Sequence, residues 1–209
     1  MNREQEKAAA QLVGAFIGDG FMNKYSRAPI IEFSGDKTLD EEYFDNTLIP
    51  LMKKLFPNCK PHILLKKKKH TRQLRYYNHE IAHFLMDYGF NYGPKSHTVQ
   101  IPTEFIVDEE LLFLVLRGLF DTDGCVYLDE RPQYKRPYPR ISLMTVSKPL
   151  FGQVINLLEP YFSLYLNAIA SRGAYVVETY GYKNTSNWLK TIGFSNPRHL
   201  HKIQQITPL

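Results

Sequence analysis

The chain is poor in the features that define several large protein classes. Only two cysteines, Cys59 and Cys125, occur in 209 residues. That is too few for a disulfide framework, so a reducing compartment is the default. No apolar run approaches the ~20 residues of a membrane span. The N-terminus, Met1 to Lys7, is polar and lacks a signal-peptide core. The expectation is a soluble protein without a membrane partner or targeting signal, in a prokaryotic cytoplasm or an organelle. Low-complexity segments are missing, and so is any linker long enough to free two halves from each other. What is present is enough apolar material for a core, with 44% hydrophobic and 13% aromatic residues. A formal charge of +5 and a pI near 9.0 suit a polyanionic partner without proving one.

One phrase occurs twice. Leu116-Arg117-Gly118-Leu119-Phe120-Asp121-Thr122-Asp123-Gly124 follows the apolar run Leu111–Val115, and Leu12-Val13-Gly14-Ala15-Phe16-Ile17-Gly18-Asp19-Gly20 lies near the start. Each reads as the last turns of a buried helix, stopped by a glycine expected in the left-handed cap conformation, with a strand-like run after it. Gly14 with Gly18, and Gly118 with Thr122, stand four residues apart and so share a helical face. Two such stripes let two backbones approach closely. Packing them together would set Asp19 and Asp123 side by side at two helix C-termini, where the macrodipoles are already negative. Like charges there are unfavourable until divalent cations fill the gap. Asp-Gly alone is a common turn; the repeat is what carries weight.

These residues resemble the paired signature of LAGLIDADG homing endonucleases, in the form with two motifs in one chain. Asp19 and Asp123 fall on the penultimate position, where that family keeps its metal-binding acids. Ile17 departs from the pattern, where the second copy keeps Asp121. The resemblance implies an α+β, pseudo-two-fold duplicated αββαββα fold, with two antiparallel saddle-like sheets joined at the two-helix motif interface. Residues 1–106 and 107–209 would be its halves. It further implies site-specific hydrolysis of double-stranded DNA across the minor groove, leaving short 3′ overhangs. The cofactor would be Mg²⁺ (two or three divalent ions, with Mn²⁺ able to substitute), held by Asp19 and Asp123 with Gly18 and Thr122. By the same resemblance, Asp36 and Ser147 order water, and Lys95 and Arg198 neutralise phosphate, with Lys202 an alternative to Arg198. Relatives of this fold also serve as intron RNA maturases or as DNA-binding regulators, so the chain's own intron RNA stands as an alternative partner.

The rest of the sequence reads as two passes through one order of elements. Phe21–Tyr25 and Ile30–Gly35 form a hairpin; Leu39–Leu55 is a helix entered through Thr38 or Asp40. Lys60–Lys68 and Thr71–Tyr77 form a second hairpin, and Asn78 caps a helix closed by Gly89. After Val107–Gly124 come the hairpin Cys125–Asp129 with Arg140–Ser147, the helix Lys148–Tyr161, the hairpin Tyr165–Ser171 with Ala174–Gly181, and helices Lys183–Ile192 and His199–Gln205. Strand alternation puts Gln73, Arg75 and Tyr77 on one face, with Glu32 and Ser34 outward on their own strand. Arg140 and Ser142 form an outward set in the second half, as do Tyr165 and Asn167. Such side chains can read base edges. Basic tips, with Lys66, Lys68 and Arg72 in one half and Arg136 in the other, would neutralise phosphates. A strand of about eight residues spans roughly 27 Å, so two halves end to end would cover roughly twenty base pairs. The halves differ, so that target need not be palindromic.

A rival sits at His79-Glu80-Ile81-Ala82-His83, which matches the H-E-x-x-H zinc-protease motif, with Glu104 as a conceivable third ligand. It opens a helix directly after a basic strand, a poor setting for that chemistry, and two surface histidines on one helical face are the plainer reading.

Overall fold

The computed structural model describes residues 1–25, 27–66 and 69–205. Helix α1 (Arg3–Asp19) starts with a capping box, in which the Asn2 side chain accepts from Gln5 N and Gln5 reaches back to Asn2 N. Its apolar residues 12–17 are buried, and it runs straight into strand β1 (Gly20–Asn23). Strand β2 (Ile30–Asp36) returns beside β1. The helical stretch that follows opens as α2 (Glu41–Tyr43), loosens into a π-helical turn (Phe44–Leu48) and closes as α3 (Ile49–Leu55). The π turn ends two residues before Pro50, which has no N–H with which to continue an α ladder. Strands β3 (His62–Lys66) and β4 (Thr71–Tyr77) and helix α4 (His79–Asp87) complete the first pass. Short α5 (Thr103–Ile106) leads into α6 (Glu109–Thr122), capped by the Asp108 side chain. The second pass then follows: β5 (Gly124–Asp129), β6 (Tyr138–Thr145), α7 (Lys148–Leu158), β7 (Leu164–Ile169), β8 (Ala174–Tyr180), α8 (Tyr182–Thr191) and α9 (Pro197–Gln204).

Two four-stranded antiparallel sheets result, with orders β1-β2-β4-β3 and β5-β6-β8-β7. Their registers correspond. Gly20 pairs with Phe33 and Phe33 with Leu74; Gly124 pairs with Leu143 and Leu143 with Val177. Those inward positions and their neighbours, Ile31, Tyr76, Val126 and Ile141, are buried against the helices. A continuous apolar core runs through both halves, with α1 and α6 packed on each other at its centre.

The helix interface is as close as the small-residue stripes predict. A Cβ on Gly14 would lie 2.0 Å from Val115 O, and one on Gly118 would lie 2.1 Å from Gln11 O. The cap glycines differ from expectation. Gly20 has φ −80° and ψ 144°, which is extended backbone, and Gly124 is likewise the first residue of its strand. Their need for glycine is steric: a Cβ would meet Phe16 Cδ2 at 2.2 Å in one case and Phe120 O at 2.3 Å in the other. Left-handed glycines do close α4 and α8, at Gly89 and Gly193. Asp40 occupies the position before α2 but does not cap it; its carboxylate is engaged elsewhere.

Candidate active site and nucleic-acid interface

Because α1 and α6 meet through their small faces, their C-terminal acids converge. A Cβ on Gly18 would stand 3.2 Å from Asp123 Cγ. Asp19 is half-buried and Asp123 is exposed, with protein crowded beneath the pair. That crowding pushes the Asp19 carboxyl up to about 7, helped by the charges of Asp123 and Asp40 and opposed by Arg198 and Lys95. Burial raises Asp123 as well, against the pull of Lys95 and Arg198. No described residue donates a hydrogen bond to either carboxylate.

Two cations flank the acids. Lys95 Nζ donates to Ile17 O at 2.7 Å and Gly18 O at 3.0 Å, at the end of α1. Arg198 Nη2 donates to Thr122 O at 2.8 Å, at the end of α6. Each therefore compensates the carbonyl end of its motif helix. Burial holds the Lys95 ammonium below its ordinary range. Lys202, the alternative to Arg198, donates to Val126 O at 2.9 Å and is occupied away from the helix end.

The two assignments for ordering water fare differently. Asp36 lies half-buried at the end of β2, where it accepts from Thr38 N and Leu39 N, and those bonds lower its pKa. Ser147 must be corrected. It is fully buried; its Oγ donates to Val99 O and accepts from Leu150 N as the cap of α7, so the hydroxyl is committed and sees no solvent. A serine just before Lys-Pro at a helix start is a readable cap signal.

Two further acids lie beside the site, Asp121 within the second motif and Asp40 without any sequence signal that places it there. Asp121, fully buried, accepts from Ser195 N at 2.8 Å and Asn196 N at 2.9 Å through Oδ1, while Oδ2 has no partner. Burial raises it to about 7 against those two bonds. It fixes the segment that presents Arg198. Asp40 accepts from Asp36 N and Asn196 Nδ2, each at 2.8 Å, and pairs with Arg198 at 3.0 Å. Two of those partners, Asn196 and Arg198, lie more than 150 residues away, so no local pattern announces it.

The outer sheet faces carry the expected polar sets, already joined to one another. Glu32 accepts from Gln73, from Arg75 and, at 2.9 Å, from Ser34. In the second half Arg140 bonds Asp129 at 2.9 Å and Glu178, whose other oxygen takes the Tyr127 hydroxyl. Ser142 stands opposite Glu178, and Tyr165 opposite it on the other side. Tyr77, Tyr165 and Asn167 are exposed, and Arg136 lies over the Tyr182 ring at 4.0 Å. Lys66 is exposed at the end of β3; Lys68 lies outside the described residues. Arg72 must also be corrected. Strand alternation turns it to the helix side, where it is buried and bonds Asp45 and Glu41. Its charge groups it with the basic tip, but its phase along β4 opposes that of Gln73 and Arg75.

His79 and His83 are exposed on α4 with ring centroids 6.3 Å apart. Among the described residues no group of three His, Cys, Asp or Glu side chains is placed to hold a metal ion. Glu104 belongs to a separate helix, α5.

Residues 110–193 match the family described as LAGLIDADG-like domain. The second half is thus similar to a LAGLIDADG-like domain. The first half repeats its topology and motif geometry, so the whole chain has the duplicated LAGLIDADG fold. Among solved structures it is similar to I-DmoI in complex with DNA and Ca (TM-score 0.67, 16% identity, covering 96% of this chain and 98% of that one). I-DmoI in complex with DNA and Mn gives a TM-score of 0.64 at 17% identity, covering 90% of this chain and 97% of that one. The N-terminal LAGLIDADG domain of DUF199/WhiA is also similar (TM-score 0.60, 19% identity, covering 90% of this chain and 82% of that one). No curated protein sequence matches the chain.

The LAGLIDADG acids suit a hard divalent cation. They offer two carboxylates with unsatisfied oxygens next to the backbone carbonyls of Gly18 and Thr122. Magnesium commonly binds through one or two carboxylates, with water and substrate phosphates completing its shell. A pH dependence follows from the raised Asp19 pKa. Unfolded, Asp19 ionises near 4; folded, near 7. Across that window the folded chain holds the extra proton, so this site's contribution to stability falls as pH rises. Cation binding needs the proton gone. Mn²⁺ affinity, followed by calorimetric titration, should therefore climb from pH 5.5 to about 7 and then level off; a flat profile would contradict the assigned environment.

Proposed function

We propose that the chain is a divalent-metal-dependent, site-specific endonuclease acting as a monomer on double-stranded DNA, with its halves divided at residue 106. The observation that carries this reading is the convergence of Asp19 and Asp123, unsatisfied and flanked by Lys95 and Arg198, at two helix ends between two polar sheet faces. A protein that only binds DNA gains nothing from aiming two carboxylates at phosphates. I-DmoI, an endonuclease of similar fold, has been crystallised in complex with DNA and divalent metal, which supports the same reading.

In this reading the outer sheet faces grip the duplex and orient it. Arg75, Gln73, Arg140 and Tyr165 exchange their partners within the sheet for base edges, while Lys66 and Arg136 hold phosphates. Asp19 and Asp123 hold the cations, with the Gly18 and Thr122 carbonyls beside them. When bound, Mg²⁺ or Mn²⁺ supplies an activated water and offsets charge on the reacting phosphate. Lys95 and Arg198 add positive charge where it develops. Hydrolysis forms a bond from the water oxygen to phosphorus and breaks the bond to the 3′ oxygen. The water's proton passes to solvent, and the departing oxygen takes up a proton to become a 3′ hydroxyl. The cuts fall on opposite strands and leave short 3′ overhangs within a target of roughly twenty base pairs.

The test is a plasmid library with a randomised target, incubated with Mg²⁺ or with EDTA. Cation-dependent breaks at one long asymmetric sequence are expected. Specific binding without breaks at any divalent-ion concentration would reduce the chain to a DNA-binding or RNA-splicing relative.

A further inference from the structure

The two flanking cations are not equivalent. Lys95 Nζ bonds only backbone carbonyls, those of Ile17 and Gly18. Arg198 bonds the equivalent carbonyl of Thr122, but its Nη1 also lies 3.0 Å from Asp40 Oδ1 and 3.2 Å from Oδ2. Asp40 is 3% exposed and belongs to the opposite half.

The asymmetry is built into the cross-bracing of the halves. The segment after α4 docks on the start of α7: Ser147 Oγ donates to Val99 O at 2.7 Å, and Gln153 exchanges two bonds with Ile101. The segment after α8 docks at the corresponding place in the first half, where Asn196 Nδ2 donates to Asp40 Oδ1. The residue directly before the helix that follows the second strand is Asp40 in the first half and Ser147 in the second, both buried. One dock is thus ionic and the other neutral at the same position. A guanidinium does not lose its proton, so only a neighbouring anion can cancel its field. Asp40 does this for Arg198, and the neutral Ser147 leaves Lys95 without such a partner.

We infer that Asp40 makes the two strand-cutting centres unequal, so that the strand served by Arg198 is cut after the strand served by Lys95. Asp40 is a positioning residue; it holds Arg198 on the Thr122 carbonyl and mutes its charge. The inference rests on the endonuclease reading above.

A duplex carrying the selected target, with a different fluorophore on each strand, separates the two rates in a single turnover. The faster strand is identified as the one slowed by Lys95→Met. Wild type should cut it about five-fold or more ahead of the other, the order expected when one full charge on a phosphate is muted. Asp40→Asn should bring the ratio at least about three-fold closer to one, while Asp40→Glu, which keeps the charge, should retain the bias. If Asp40→Asn does not fold, the comparison moves to the cations: Lys95→Met should slow its strand at least about ten-fold more than Arg198→Met slows its own. Equal wild-type rates, or an unchanged ratio in Asp40→Asn, would overturn the inference while leaving the nuclease intact. No cleavage by wild type would overturn the nuclease reading, and this inference with it.

Discussion

Asp19→Asn and Asp123→Asn are each expected to abolish double-strand breakage of the selected target, with the rate falling by roughly 10²–10³-fold or more, the range for losing one group that stabilises charge at a reacting centre. The expectation follows from geometry. Neither carboxylate is bonded to a described residue, so neither has a structural bond to lose, and the amide replaces it without changing the packing of α1 on α6. DNA affinity in EDTA should move the other way. Each substitution removes a negative charge from a cleft that must receive phosphates, so anisotropy titrations should give equal or tighter binding. Metal-free stability should rise as well, because Asp19 is held at an unfavourable pKa near 7 by burial and by its acidic neighbours. Loss of cleavage with loss of binding or of fold would instead place both acids in the scaffold. Cleavage at the wild-type rate would remove them from the chemistry altogether.

Gly14→Ala and Gly118→Ala should each cost about 3 kcal/mol or more of folding stability, at the upper end of what overpacking a core costs. The added carbon would meet Val115 O at 2.0 Å or Gln11 O at 2.1 Å. Both obstacles are backbone, so no rotamer change relieves the clash; the helices must separate, and the acids with them. Gly152 provides the control. It lies in α7, and a Cβ added there would meet nothing within 4 Å. Gly152→Ala should therefore stabilise the chain by roughly 0.5–1 kcal/mol through helix propensity. Urea unfolding measures all three. A Gly14→Ala variant as stable as wild type would show that the helices do not pack through these faces in solution.

What the sequence discloses is whatever its local periodicity encodes. The motif helices, the hairpins and the Asn78 cap all rest on residues within a few positions of one another. The pairing of α1 with α6 is legible as well, because two small-residue stripes are complementary without reference to the rest of the fold. Three assignments fail. Charge assigns Arg72 to the basic tip, whereas its direction is set by its phase along β4. Alignment with Asp36 assigns Ser147 to water, whereas its hydroxyl is consumed by Val99 and by the first turn of α7. Position marks Asp40 as a helix cap, whereas its partners Asn196 and Arg198 arrive from the far end of the chain. The partners of Asp40 are distant in sequence, and only the folded chain brings them near; the phase of Arg72 and the cap at Ser147 are local signals that charge and alignment overrode.

The matched registers of the two sheets carry one more consequence. With Leu74 equivalent to Val177, the next outward position holds Arg75 in one half and Glu178 in the other. The two sheets thus carry opposite charges at the same register position, with Arg75 paired to Glu32 and the buried Glu178 paired to Arg140. A duplex turned end for end would set the acid where the base had been. Arginine reads guanine and carboxylate accepts from cytosine, so the reversed alignment is penalised twice over. Under the endonuclease reading, the chain would distinguish the two directions along DNA and present its paired acids to a target in one orientation.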